Sequence, residues 1–344
     1  MRAIHIDRFL ENYEDLHVTE VTDPRCGDDE VLVEVRAVAT NYVDLLYCRG
    51  KHQNNRKDIL PPFTLGLEFA GIVLSAGRHV ASSSSALKPG ARVFGAHLGA
   101  FAERIAVPPT ALHTIPSGWT FAQAAGLAAT APVSYGALIA RAGLRAGETV
   151  LVHGAAGGLG LMAVQIAKAA GARVIATASG TVKGDVARRF GADLVVDYTS
   201  KQGMDWHRVV LDATGGKGVD VVFDSVGLVG QSVRCTKERG RVLIVGFAGR
   251  EEGDKIEEVA MNRFLLKQAV VIGYRWGATQ RLIPEENSRV WEELTSLLEK
   301  GFVKPTVFDK SYRGLDDVPI ALRDLAARKV WGKAVVRVGS EANL

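Results

Sequence analysis

The sequence is poor in cysteine, with Cys26, Cys48 and Cys235 the only three in 344 residues. No two of them stand at metal-ligand spacing, and an odd, scattered set excludes a disulfide framework. Charge of one sign is lacking too. Lys and Arg number 42 against 38 Asp and Glu, a net of +4. With no basic cluster interleaved with aromatics, that balance excludes a protein built to hold nucleic acid. No apolar run reaches the length of a membrane span. The chain opens on M-R-A-I-H-I-D-R-F, an alternating strand and not an apolar leader. These absences lead to the expectation of a cytoplasmic protein with reduced thiols and no nucleic-acid or membrane partner.

What is present is ordinary globular composition, 47% apolar and 23% charged, in a chain long enough for two domains. Up to about residue 125 the signals are short strands broken by Gly and Pro. E-V-L-V-E-V-R-A-V-A (30–39) alternates as a half-exposed strand does, and E-F-A-G-I-V-L-S-A-G (68–77) and A-R-V-F-G-A (91–96) look similar. A-S-S-S-S-A (81–86) reads as a surface loop. Residues 121–141 are Ala-rich with helical spacing. From about 147 the rhythm changes to apolar runs: T-V-L-V-H, R-V-I-A-T-A, L-V-V-D-Y, V-D-V-V-F-D, R-V-L-I-V-G and V-V-I-G-Y. Helical segments separate most of them, which is the pattern of buried parallel strands with helices on both faces. Two more helices are expected near 289–300 and 317–328, and K-A-V-V-R-V closes the chain as a strand.

V-L-V-H-G-A-A-G-G-L-G (150–160) joins the first of these runs to L-M-A-V-Q-I-A-K-A-A-G. Strand, glycine turn, helix and second strand at βαβ distance form a dinucleotide fingerprint. The glycines allow a tight turn and close approach of backbone to a pyrophosphate, which meets the positive end of the helix. The second strand ends A-T-A-S-G-T-V-K, with no carboxylate before Asp185 to take a ribose 2′-OH. Ser179, Thr181 and Lys183 suit a phosphate instead, so the sequence favours NADPH.

The order of the two halves resembles the medium-chain dehydrogenase/reductase superfamily, and within it the zinc-free quinone oxidoreductase (zeta-crystallin-like) branch. The resemblance is carried by A-T-N-Y-V-D-L-L-Y-C-R-G-K-H-Q (39–53), L-G-L-E-F-A-G (65–71), L-K-P-G-A-R-V-F-G (87–95) and G-L-A-A-T-A-P-V-S-Y-G-A-L (126–138). It continues through the glycine loop, G-A-D-L-V-V-D-Y (191–198), V-D-V-V-F-D-S-V-G (219–227), G-R-V-L-I-V-G-F-A (240–248), L-L-K-Q-A-V-V-I-G-Y-R-W-G (265–277) and R-K-V-W-G-K-A-V-V (328–336). It implies an α/β protein of two domains. A GroES-like β-rich catalytic domain spans 1–125, completed by 271–344, and a Rossmann domain with a doubly wound parallel sheet spans 126–270. Ligands are expected in the cleft between them.

Zinc members of the superfamily carry Cys and His ligands where this chain has Asn41 and Leu67, and their four-Cys lobe is missing here. Leu67 has no ligating atom and a closed zinc site needs about four ligands, so no metal is expected. Without a Lewis acid, the chemistry implied is hydride delivery from NADPH to an already electrophilic quinone or enone. An alkenal or enoyl-thioester reductase and a non-catalytic NADPH-binding protein are the rival readings. A homodimer through edge-strand pairing is implied as well.

The resemblance places the pyrophosphate on Ala155, Ala156, Gly157, Gly158, Leu159 and Gly160, and the adenosine phosphate near Ser179, Lys183 and Tyr198. It places Ser225, Val226, Gly227, Gly246, Phe247, Ala248, Gly273, Tyr274 and Trp276 around the nicotinamide and its ribose. Tyr135 is a further cofactor contact. Asn41 and Asp44 form a pair near the nicotinamide, with the Asn41 amide able to hold an acceptor oxygen or the ribose. His52 stands where many members have Tyr, and reads either as a site acid or as part of an exposed polar loop. Val133 replaces the usual Thr and loses a hydroxyl. Glu68 is expected to pair with an arginine, His153 to be a satisfied core histidine, and Cys48 and Cys235 to be structural. Trp276 reads as core or as cleft wall.

Overall fold

The computed structural model describes residues 1–83, 86–249 and 257–339, and divides into two compact units, Met1–Ala129 with Pro305–Leu344 and Thr130–Lys304. The first unit opens with strands β1 (Arg2–Ile6), β2 (Val18–Glu20) and β3 (Val31–Ala39), then helix α1 (Tyr42–Tyr47), β4 (Phe63–Thr64) and β5 (Glu68–Ala76). Helix α2 (Arg78–Ser83), β6 (Arg92–Ala96), β7 (Arg104–Val107), β8 (Leu112–Thr114) and α3 (Phe121–Ala125) follow. Strand β1 lies between β2 and β4, whereas β3, β5, β6 and β8 run in that order, all antiparallel, with β7 also on β3. The alternation expected of 30–39 holds for Val31, Val33 and Val35, which are buried. From Arg36 onward every residue of β3 is buried. The run 81–86, expected to be a loop, begins instead as the last turn of α2, and residues 84 and 85 lie outside the described residues. The two serines Ser82 and Ser83 do not forbid a short helix continued from Arg78-His79-Val80, with Val80 buried as its anchor.

The second unit opens with α4 (Ala131–Tyr135), continued by a π-helical turn at Gly136–Arg141. Then come β9 (Thr149–Val152), α5 (Gly158–Ala169), β10 (Arg173–Ala178), α6 (Gly180–Arg189), β11 (Leu194–Asp197), α7 (Trp206–Ala213), β12 (Val219–Asp224), α8 (Val229–Arg234) and β13 (Thr236–Ile244). It ends with α9 (Asn262–Lys267), β14 (Val270–Gly273), α10 (Trp276–Leu282) and α11 (Pro284–Glu299). The six apolar runs are the six strands. They form one parallel sheet in the order β11-β10-β9-β12-β13-β14. That is a doubly wound order, reversing between β9 and β12, and ligands of such sheets sit beyond the carboxyl ends of the strands at that reversal. Leu151, Ile175, Val222 and Val242 from four neighbouring strands are fully buried, as strands covered on both faces require.

The return segment brings β15 (Tyr312–Arg313), α12 (Val318–Ala326) and β16 (Val335–Arg337) to the first unit, where β16 pairs antiparallel with the end of β3 and parallel with β15. The sequence puts this return at 271, but the chain stays in the second unit through Lys304. Helix α11 is the cause. Its Glu286 and Glu293 accept the hydroxyls of Tyr274 and Tyr135, and Gln165 of α5 exchanges two hydrogen bonds with the Lys304 backbone. Residues 340–344 lie outside the described residues. No helix among the described residues is long and apolar enough to cross a membrane.

Candidate functional site

The glycine turn follows β9 at the point where the strand order reverses. Gly157 starts α5 with no side-chain cap, so the first-turn N–H groups lack intrahelical acceptors and remain available to an anion. Ala155 and Ala156 are buried beneath the turn. Gly160 is there because nothing larger fits. A Cβ on it would stand 2.2 Å from the Gly154 carbonyl oxygen and 2.7 Å from Ala155 Cα. The helix therefore begins in close contact with the strand end, and the cradle keeps its width.

Other loops at the carboxyl ends of the same strands converge on this turn. Buried Asp224, the last residue of β12, accepts hydrogen bonds from the backbone N–H groups of Val226, Gly227 and Leu228 at 2.7–2.8 Å. That fixes Ser225, Val226 and Gly227 in one shape. The loop after β13 is laced to it, with Ala248 N–H on the Ser225 carbonyl at 3.0 Å and Gly249 N–H on the Val226 carbonyl at 3.1 Å. Gly246, Phe247 and Ala248 are thereby held beside Ser225, and the Phe247 ring is 44% exposed. After β10, Ser179 caps α6 by position without a side-chain hydrogen bond, and Lys183 lies one turn into that helix, half-buried. Tyr198, after β11, is exposed, with its N–H on the Ala178 carbonyl at 3.2 Å.

Three of the expected contact residues have enclosed side chains. Tyr135, Tyr274 and Trp276 are all more than nine-tenths buried within the second unit. The two tyrosine hydroxyls bond Glu293 at 3.3 Å and Glu286 at 3.4 Å, and burial beside those carboxylates pushes both phenols up, that of Tyr135 to about 12. Their polar atoms are committed to helix α11. Trp276, left open by the sequence, is core. Gly273 ends β14 and is exposed.

His153 is the satisfied core histidine expected. Its Nδ1 stands 3.0 Å from the Thr177 hydroxyl and its Nε2 2.9 Å from that of Ser232. Because Ser232 donates its own proton to the Leu228 carbonyl, Nε2 carries the imidazole proton and Nδ1 accepts. Burial drives its pKa down to about 4.

In the first unit, Asn41 precedes α1 and sits in a buried polar cluster. Lys333, bridged to Val307 just before β16, reaches Glu68 Oε2 at 2.8 Å, with the two side chains 3% and 0% exposed. The Glu68 partner is thus a lysine and not the arginine expected. It comes from a segment remote in sequence, which no local pattern reveals. The other Glu68 oxygen accepts the Ala129 N–H at 2.7 Å. Gly126 makes room for the lysine stem, since a Cβ there would stand 2.9 Å from Lys333 Cγ.

That pair sets the Asn41 carboxamide. Its Oδ1 accepts from Lys333, and its Nδ2 donates to Glu68 Oε2 at 3.1 Å and to the Ala39 carbonyl at 3.2 Å. Both amide N–H bonds are used, so Asn41 can offer a ligand only the second lone pair of Oδ1. It has no N–H left with which to hold an acceptor oxygen, which corrects that part of the expectation. Asp44 supports the same corner. Its Oδ2 accepts the Asn41 N–H at 2.7 Å, while Oδ1 is buried without a partner. Burial raises its pKa to about 7, against the pull of the Asn41 N–H and the Lys333 ammonium. It is fully buried and acts on Asn41, not on solvent.

His52 is half-buried and caps the short 3-10 turn Gln53–Arg56, where its Nδ1 accepts the Asn54 N–H at 3.1 Å. Its ring stands edge-on to Tyr47, 4.7 Å between centroids. Cys48 and Cys235 are buried, and burial pushes both thiols up to about 12, so neither serves as a thiolate. Among the described residues no three His, Cys, Asp or Glu side chains come together as a metal-holding group. Position 67 offers no donor atom, and Asn41 is already tied to Lys333 and Glu68.

Two families match the chain: the alcohol dehydrogenase GroES-like domain at residues 27–117 and the zinc-binding dehydrogenase family at 158–299. A quinone oxidoreductase-like protein 2 homolog of Nematostella vectensis is 34% identical over 315 residues, covering 90% of this chain and 82% of its own. Among solved structures, a quinone oxidoreductase of Pseudomonas syringae superposes with a TM-score of 0.83 at 27% identity, covering 98% of this chain and 99% of its own. The Escherichia coli quinone oxidoreductase complexed with NADPH does so with a TM-score of 0.81 at 27% identity, covering 98% and 100%.

Proposed function

The chain belongs to the quinone oxidoreductase branch of the medium-chain dehydrogenase/reductase superfamily, and from that premise we propose that it reduces a quinone, or a similarly electrophilic carbonyl, with NADPH and without a metal. The observation that carries the proposal is the gathering of the glycine turn and the 225–227 and 246–248 loops at the carboxyl ends of one parallel sheet, at its reversal point. Gly160 lets α5 begin in close contact with the Gly154–Ala155 backbone, which brings the helix N-terminus to the turn that would hold the pyrophosphate. Support for the phosphate-bearing cofactor comes from Ser179, Lys183 and Tyr198, and from the NADPH-bound Escherichia coli relative.

NADPH, when bound, supplies the hydride. Residues of this chain hold and orient. The α5 N-terminus takes the pyrophosphate, Ser179, Lys183 and Tyr198 take the adenosine phosphate, and the loops ordered by Asp224 flank the nicotinamide end. Asn41 contributes an acceptor oxygen held in one orientation by Lys333. Protonation of the product is left to solvent, because Asp44 is enclosed. Leu67, which has no side-chain donor, and Asn41, tied to Lys333 and Glu68, argue for metal-free chemistry.

The partners proposed are a small quinone or enone and a second copy of this chain. Strand β14 edges the sheet with Val270 and Val271 exposed, and Met261, Leu265 and Leu266 on and beside α9 are about three-quarters exposed. That apolar edge suits strand pairing with its own copy.

Oxidation of NADPH by a small quinone, followed before and after chelation alongside elemental analysis, tests the proposal. Turnover unchanged by chelator in protein without stoichiometric zinc is the expected result. One zinc per chain with activity lost on chelation contradicts the metal-free part. Tight NADPH binding without turnover points to a binding protein.

A further inference from the structure

The adenosine ribose of a dinucleotide comes to the residue about 20 positions beyond the glycine turn. Here that is the end of β10 and the Ser179-Gly180 corner. The sequence after β10 shows no acid before Asp185, but the fold delivers one from the neighbouring strand. Asp197 ends β11 and lies beside Ala178 in the parallel register. Its Oδ1 accepts the Gly180 N–H at 2.9 Å, the Thr199 N–H at 2.9 Å and the Thr199 hydroxyl at 2.6 Å. The hydroxyl of Thr199 and these N–H groups hold the carboxyl below its ordinary range, so it is ionised at neutral pH. All three bonds fall on Oδ1, and a carboxylate has further acceptor sites on its second oxygen. Asp197 is half-buried, at the corner that Ser179 caps and from which Lys183 follows one turn on.

We infer that Asp197 sets the balance between the two reduced nicotinamide dinucleotides, its acceptor oxygen suiting a ribose 2′-OH and its charge opposing a 2′-phosphate, against the pull of Ser179 and Lys183. The inference rests on the dinucleotide reading above. It makes the cofactor preference a contest between a lysine on α6 and an aspartate at the end of β11, and the acid on β11 takes the part that other sheets give to an acid after the second strand. Like charges about 6 Å apart near a wet surface repel by an amount that changes an affinity about threefold, and less in salt.

Asp197→Asn keeps an oxygen for Gly180 and Thr199 and removes the charge. The test is the affinity of the full chain, wild type and variant, for NADPH and NADH, titrated by reduced-nicotinamide fluorescence at low and physiological salt. The expected result is an NADPH-to-NADH affinity ratio raised about threefold or more at low salt, with a smaller gain as salt is added. Asp197→Ser, which also lacks the charge but keeps a shorter acceptor, should move the ratio the same way. An unmoved or lowered ratio in both folded variants overturns the inference while leaving the dinucleotide reading intact. Wild type that binds neither nucleotide overturns that reading, and the inference with it.

Discussion

Lys333 and Glu68 form a 2.8 Å ion pair that is almost wholly out of solvent, and the same lysine fixes the carboxamide of Asn41. The pair joins the C-terminal return to the first β-rich segment. Removing one partner leaves the other charge buried and alone, which costs about 3–5 kcal/mol. Lys333→Met and Glu68→Gln should each lower the denaturant midpoint by a corresponding amount. The double variant should lie closer to wild type than either single one. Single variants as stable as wild type would mean that water reaches the pair.

Asp44 gives the pH dependence of stability a distinct component. Its folded pKa, about 7, is raised above the ordinary carboxylate value of 3.8. The stability it contributes is therefore fully present below pH 4 and is lost as the pH rises towards 7. His113 and His153 act oppositely in the same window. Burial holds both near 4, so their contribution is present above pH 6.5 and lost on acidification. Asp44→Asn removes only the first component. Thermal melts between pH 4 and 8 should show the variant losing stability on acidification more steeply than wild type. Parallel pH profiles would mean that Asp44 titrates normally.

Much of this organisation was legible in the sequence. Six apolar runs separated by helices read as a parallel sheet because each strand is covered on both faces, and the glycine turn was found from its strand and helix. Side chains whose partners arrive from elsewhere were not legible. Glu68 gave no sign that Lys333 would meet it, and Asp197 none that its carboxylate would turn onto Gly180. Local pattern likewise does not say that the hydroxyls of Tyr135 and Tyr274 meet Glu293 and Glu286 of α11. The point at which the chain returns to the first unit is hidden for the same reason, since a helix carries no mark of the unit it packs on.

Gly160→Ala tests the cradle. The added methyl would meet backbone at 2.2 Å, so the turn has to open. NADPH affinity should fall at least about tenfold, because misplacing the N–H groups that face the pyrophosphate weakens several charge-assisted bonds together. Titration of nucleotide fluorescence reads this directly. Unchanged affinity would remove the turn from the binding site.

Lys183→Ala tests the phosphate contact. A charge-assisted bond is worth about 1.5–3 kcal/mol, so NADPH should weaken by about 10- to 100-fold while NADH changes little. Equal losses for both nucleotides, or none for either, would make Lys183 a surface residue of α6.

The central claim is that this chain passes hydride from NADPH to a quinone. The measurement that tests it most directly is the kcat/KM of the purified chain with NADPH and three acceptor classes in parallel: a small quinone, a small enone and an enoyl thioester. The account predicts NADPH consumption with kcat/KM highest for the quinone. Preference for the enoyl thioester, or no consumption with any acceptor by a chain that binds NADPH, would contradict it.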